Sequence, residues 1–163
     1  MRRQSEFEFI RQQGFEVVVP DHRLYVALMF QPRTIACLMA VGIALQSAGL
    51  FLAMSAVLWW GTVFPTRNLF DAVYNRLVAK PRGLPRIPIA PAPRRFAQAM
   101  AATVAVVIGT AVLAEAWPIA WVFEGLFTIA VTSVVAGRLC APASVYLRFI
   151  RTSHHGSSVA RRA

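Results

Sequence analysis

The chain is poor in acid, with seven Asp and Glu against 17 Lys and Arg, poor in charge altogether at 15%, and has two cysteines in 163 residues. Cys37 and Cys140 are too few for the disulfide framework of a small secreted domain. Both are expected near the cytoplasmic ends of their helices, where the compartment is reducing, so no disulfide is predicted. Low charge with 57% hydrophobic residues excludes an ordinary soluble domain, and the length excludes two. In a soluble chain the basic excess would suggest nucleic acid; here a membrane accounts for it better. The first thirty residues hold Glu6, Glu8, Glu16 and Asp21 and lack a clean apolar core with a cleavage site, which argues against a cleavable signal peptide.

What is present is two long apolar blocks. No Lys or Arg occurs between Thr34 and Thr66, nor between Phe96 and Gly137, so the basic residues form three clusters around two gaps. Basic residues flanking spans stay in the cytoplasm, so each block should go out and come back. A single tilted helix from Thr34 to Phe64 would put the first two clusters on opposite sides of the bilayer. The fold expected is therefore an all-α membrane protein of the inner membrane type with four transmembrane helices in two tandem hairpins, 34–64 and 96–137, and both termini cytoplasmic. The first hairpin turns at Gln46, Ser47 and Gly49, and the second at Glu115 to Pro118. Halves of the first are only ~22 Å long at 1.5 Å per residue, short against a ~30 Å hydrocarbon core.

Between the hairpins, Asn68 can cap a cytoplasmic amphipathic helix over 68–79, with Leu69, Phe70, Val73, Tyr74 and Leu77 on one face and Arg67, Asp71, Arg76 and Lys80 off it. A connector over 80–95 follows with Pro81, Pro85, Pro88, Pro91 and Pro93, which predicts polyproline conformation and a stiff spacer. Residues 1–30 form an N-terminal cytoplasmic extension in which Phe7, Phe9, Phe15 and Val17 to Val19 suggest a half-buried strand or hook, followed by a short helix capped by Asp21. Residues 151–163 are a basic tail whose His154 and His155 lack the spaced partners of a metal site.

The four-helix domain, 31–150, reads as a duplication. Pro32-Arg33 and Pro93-Arg94 open the two hairpins in matching sequence, and Val73-Tyr74-Asn75-Arg76-Leu77 parallels Val145-Tyr146-Leu147-Arg148-Phe149 after them. Tandem two-span units insert with one orientation, which agrees with the charge pattern.

Chemistry-bearing groups are few: Cys37, Glu124, Gln46, Gln98 and some hydroxyls. Glu124 is the ionisable group placed within a span and hence a candidate for function, or for a wet interfacial pocket. Trp59, Trp60, Trp117 and Trp121 suit the bilayer interfaces. No catalytic residue, metal or cofactor is assigned; the candidate functional or packing residues are Glu124, Cys37, Cys140, Trp59, Trp60, Arg76 and Arg148.

Tyr74-Asn75-Arg76-Leu77 and Pro93-Arg94-Arg95-Phe96-Ala97-Gln98, within about Gln31 to Ile150, resemble a bacterial family of small four-span membrane proteins of unknown function. Many of its members carry closely spaced cysteines at the end of the last span, which would imply thiol chemistry; this chain departs from that in having Cys140 alone there. The reading that follows is a non-catalytic accessory or scaffold subunit, packed with other membrane subunits of a larger complex, respiratory or photosynthetic in kind, or with a second copy of itself. The alternative is a small membrane carrier or thiol-redox protein using Cys37 and Cys140 or Glu124.

Overall fold

The computed structural model describes residues 2–19, 21–136 and 142–147, and over these the chain is helical with no strand. Cys140, Arg148 and the tail 151–163 lie outside the described residues.

The N-terminal extension is a helix and not a strand or hook: α1 spans Arg2–Gln12. Its inner face, Glu6, Phe9, Ile10 and Gln13, recurs at helical spacing, and all four are buried. The chain turns at Gly14, whose φ of +87° suits glycine and whose α-carbon faces the rings of Pro91 and Pro93. Asp21 then caps α2, His22–Leu28, accepting from the backbone N–H of Arg23 and Leu24. After a joint at Met29, α3 runs Phe30–Leu45. Pro32 explains the joint, because it has no N–H to give the carbonyl of Leu28. Across that joint, His22–Leu45 forms one apolar stretch of 24 residues, well beyond the short first span expected from residue 34.

Gln46, left-handed with φ 45°, ends α3, and the Ser47 hydroxyl accepts from the N–H of Leu50 to start α4, Ala48–Val63. The next long helices are α6, Ala92–Leu113, and α7, Trp117–Val135. Three helices, His22–Leu45, Ala92–Leu113 and Trp117–Val135, are long and apolar enough to cross a membrane. The expectation of four such spans is corrected at α4, which has 16 residues and reaches only ~24 Å at 1.5 Å per residue.

The four long helices form a ring in the order α3, α4, α6, α7, closing back on α3, with the tightest seam between α4 and α6. Those two run antiparallel: Arg95 Nε donates to the Thr62 carbonyl at 2.9 Å, Ser55 Oγ to the Ala102 carbonyl at 2.8 Å, and Gly109 faces Leu52 and Ala48. Apolar side chains gain little from leaving lipid for protein, so helices there associate through close packing. Ala102, Ala105 and Gly109 give α6 a narrow face for that approach, opposite Phe51, Met54 and Leu58 of α4. Both hairpin turns lie at one end of the ring, where Gln46 of α3 meets Glu124 of α7.

The opposite end carries a second apolar cluster, built from Phe9, Ile10, Tyr25, Leu28, Met29, Tyr74, Ala79 and Ile87. Asn68 caps α5, Leu69–Val73, as expected, its Oδ1 accepting from the N–H of Phe70. The helix then widens to a π-helix over Tyr74–Ala79. Its faces differ from the sequence pattern: Phe70, Asp71, Tyr74 and Ala79 are buried, while Leu69, Val73 and Leu77 are exposed. The connector has one helical turn, Lys80–Arg82, and no regular structure over residues 84–91. Asn75 pins it, donating through Nδ2 to the Ile87 carbonyl at 3.2 Å and accepting from the Ile87 N–H at 2.8 Å, as a neighbouring strand would.

Candidate functional site

A buried polar group tied to three elements is built at the capped end of the ring. Pro91 is extended, Pro93 sits in the first turn of α6, and that entry brings Arg94 inward to 3% exposure. Its Nη2 donates to Asp71 Oδ1 of α5 at 2.7 Å and to Gln31 Oε1 of α3 at 2.8 Å. One guanidinium thus ties three elements together. Burial pushes the Asp71 carboxyl above its usual range, and the guanidinium beside it works against that shift. The pairing is incomplete: Arg94 Nη1 and Asp71 Oδ2 are buried without a hydrogen-bond partner among the described residues.

One turn along α6 lies Gln98, on the same face as Arg94. It is 4% exposed, and neither its Oε1 nor its Nε2 has a partner among the described residues. Both residues line a half-open pocket of about 290 Å³ between α3, α6 and α7. Gln13, Gln31, Arg94 and Gln98 supply its polar end; Ile35, Ala101, Val104, Phe127, Ala130 and Val131 are among its apolar walls, and Met100 and Leu126 stand exposed on its lining. A buried amide with both atoms free, beside an ion pair with one donor and one acceptor to spare, is equipped to hold a polar group by hydrogen bonds.

The residues singled out in sequence are scattered. Glu124 is 5% exposed, at the turn end of the ring, with Gln46 Nε2 donating to its two oxygens at 3.3 and 3.5 Å. Cys37 is an exposed free thiol on α3. Trp59 and Trp60 are exposed near the end of α4, where Trp60 leans on Phe64 at 4.6 Å between ring centres. Arg76 is exposed, and Cys140 and Arg148 fall outside the described residues. Among the described residues the structure brings none of these together, apart from Glu124 with Gln46. Among the described residues no three His, Cys, Asp or Glu side chains are grouped to hold a metal ion.

Gln98 was legible as one of few polar groups in an apolar block. Arg94, Asp71 and Gln31 were not read as a site. The signal available was Asp71 itself, an acid placed among basic residues beside the Tyr74-Asn75-Arg76-Leu77 motif. The sequence pairs Arg94 with Arg33 at the start of the two hairpins; Arg33 is exposed and Arg94 buried, so the duplication does not extend to their roles.

The chain belongs to the family described as domain of unknown function DUF4395, which it matches over residues 26–151. No curated protein and no solved structure matches the chain.

Proposed function

We propose that this family member is a multi-pass membrane protein acting by binding, as a non-catalytic accessory subunit packed against other membrane proteins. The observation that carries this reading is α4. At 16 residues it is shorter than the three apolar stretches beside it, His22–Leu45, Ala92–Leu113 and Trp117–Val135, and a short apolar helix is accommodated by thinning the bilayer or by association with other proteins. Its outer side favours association. Gly49, Ala53 and Ala56, at helical spacing, are exposed along one line that ends at the exposed Trp60, and nothing approaches the α-carbon of Gly49. Small residues in such a line let a partner helix come close, and the indole gives that contact an anchor. On this reading α4 enters the bilayer as the return limb of the first hairpin, the basic clusters face the cytoplasm, and the partner covers the mismatch.

Native mass spectrometry after mild solubilisation is the test. The wild-type chain should leave the membrane with a second membrane polypeptide, and Ala53→Leu should release it without unfolding the bundle. A wild-type chain that flies as a lone monomer overturns the proposal.

A further inference from the structure

The pocket between α3, α6 and α7 has a polar end, an apolar body and an unpaired buried amide at their boundary. We propose that it is a binding site for a single-chain membrane amphiphile with a carboxylic acid head, a long-chain fatty acid held in its protonated form.

Shape comes first. Arg94, Ala97, Gln98, Ala101 and Val104 all line the pocket from α6, so it follows one face of that helix for ten residues, ~15 Å. Its polar end lies at the end of the ring where the basic and acidic side chains gather, and its apolar end points toward the middle. An amphiphile in a bilayer has the same layout. At about 290 Å³ the pocket is at the small end of the range for ligand sites, the size for a compact head with the first part of one chain. The rest of the chain would leave between Met100 and Leu126, both exposed on the apolar surface.

Charge and hydrogen bonding then select the head. Arg94 is already neutralised by Asp71 at 2.7 Å, so the polar end offers no net positive charge to hold an anion. What stays free on Gln98 is one donor group and one acceptor. A carboxylic acid answers both: its carbonyl accepts from Gln98 Nε2, its O–H donates to Gln98 Oε1, and Arg94 Nη1 is placed to donate as well. Flipping the amide leaves the match unchanged. A head with acceptors alone, such as an ester or a quinone carbonyl, would leave Gln98 Oε1 buried and unpaired.

The test uses the full chain in phosphatidylcholine nanodiscs, titrated with palmitic acid carrying ¹³C at the carboxyl and followed by NMR against protein-free discs. A second carboxyl resonance should appear, saturate at one per chain, and fail to titrate where the disc-dissolved acid does. Gln98→Leu removes the amide without leaving a buried polar group behind, and should weaken binding by about tenfold or more. Ala101→Leu, which fills the apolar wall, should abolish it, so a fault in one variant's folding does not decide the matter. Methyl palmitate, lacking the O–H, should compete weakly. The proposal is overturned by absence of a distinct bound resonance, by equal binding in both variants, or by full competition from methyl palmitate or a short-chain ubiquinone.

Discussion

Arg94 is the residue on which the capped end depends, and its partners explain why it can be buried at all. A cation in an apolar setting is costly unless paired and hydrogen-bonded. Here one carboxylate and one amide oxygen satisfy Nη2, while Nη1 and Asp71 Oδ2 are left over. Breaking such a pair on one side is worse than removing it altogether. Arg94→Met should therefore cost ~3–5 kcal/mol, whereas Arg94→Met with Asp71→Leu should cost clearly less. Thermal unfolding of both proteins in detergent, followed by tryptophan fluorescence, checks this; costs that simply add would mean the two residues are not coupled. The direction of the Asp71 shift supplies a second expectation. Its native carboxyl takes up a proton at higher pH than the unfolded one, so protonation favours the fold. This group's contribution to stability rises as pH falls through the native pKa and levels off below the ordinary carboxylate range, near pH ~4. The melting temperature of the wild type should accordingly gain on that of Asp71→Asn between pH 7 and pH 4, and a flat difference would contradict the burial of a charged Asp71. Beyond the lone acid Asp71 among basic residues, the pairing was not legible in sequence. Arg94 and Asp71 are 23 residues apart and Gln31 is 63 from Arg94, so a count of local charge placed Arg94 in a solvated cluster.

At the level of elements, the seam between α4 and α6 sets the packing, and glycine reports where it is tightest. A Cβ at Gly109 would come within 2.8 Å of Leu52 and 3.3 Å of the Ala48 carbonyl, whereas one at Gly125 of α7 would meet nothing. Gly109→Leu should thus cost about 1–3 kcal/mol or more through overpacking. Gly125→Leu should be neutral or better, since it removes a helix glycine in open space. Equal melting temperatures for the two variants would mean the seam is not closely packed. The same seam shows what sequence can and cannot reveal about elements. Helix positions in the second hairpin follow from an unbroken apolar run with a turn at Glu115 to Pro118, and the observed Ala92–Leu113 and Trp117–Val135 fall within a few residues of it. The polar group at Gln46 and Ser47 likewise located the first turn. The N-terminal helix was missed because Phe7, Phe9, Phe15 and Val17 to Val19 favour strands locally, and contact of Phe9 and Ile10 with α2 and the connector overrides that preference. The outward turn of Leu69 and Val73 was missed because Asp71, grouped with the polar residues, turns inward to pair with buried Arg94 and carries Phe70 and Tyr74 in with it; only from Tyr74 on does the π-helix also shift the register that a 3.6-residue period assumes.

For the whole molecule, the geometry constrains how the chain can sit in a bilayer. Both turns, at Gln46 and Glu115, lie at one end, and α5, the connector and the start of α6 lie at the other with the basic residues Arg67, Arg76, Lys80, Arg82 and Arg86. Basic residues near spans are retained in the cytoplasm, so the connector end should face inward and the two turns outward. This is testable with single cysteines in a chain lacking its own, with Cys37→Ser and Cys140→Ser as background. A membrane-impermeant maleimide added to intact spheroplasts should label Glu115→Cys and Gly49→Cys, and should reach Arg82→Cys only after permeabilisation. Gly49 separates two arrangements that the other positions do not. It stands at the start of α4 with nothing near its α-carbon, so it reports whether the short helix begins at the same face as the α6–α7 turn. Labelling of Gly49→Cys together with Arg82→Cys would mean that the first hairpin does not run beside the second. Labelling of Arg82→Cys from outside with Glu115→Cys protected would invert the orientation, and with it the side from which a partner or a fatty acid head meets Arg94.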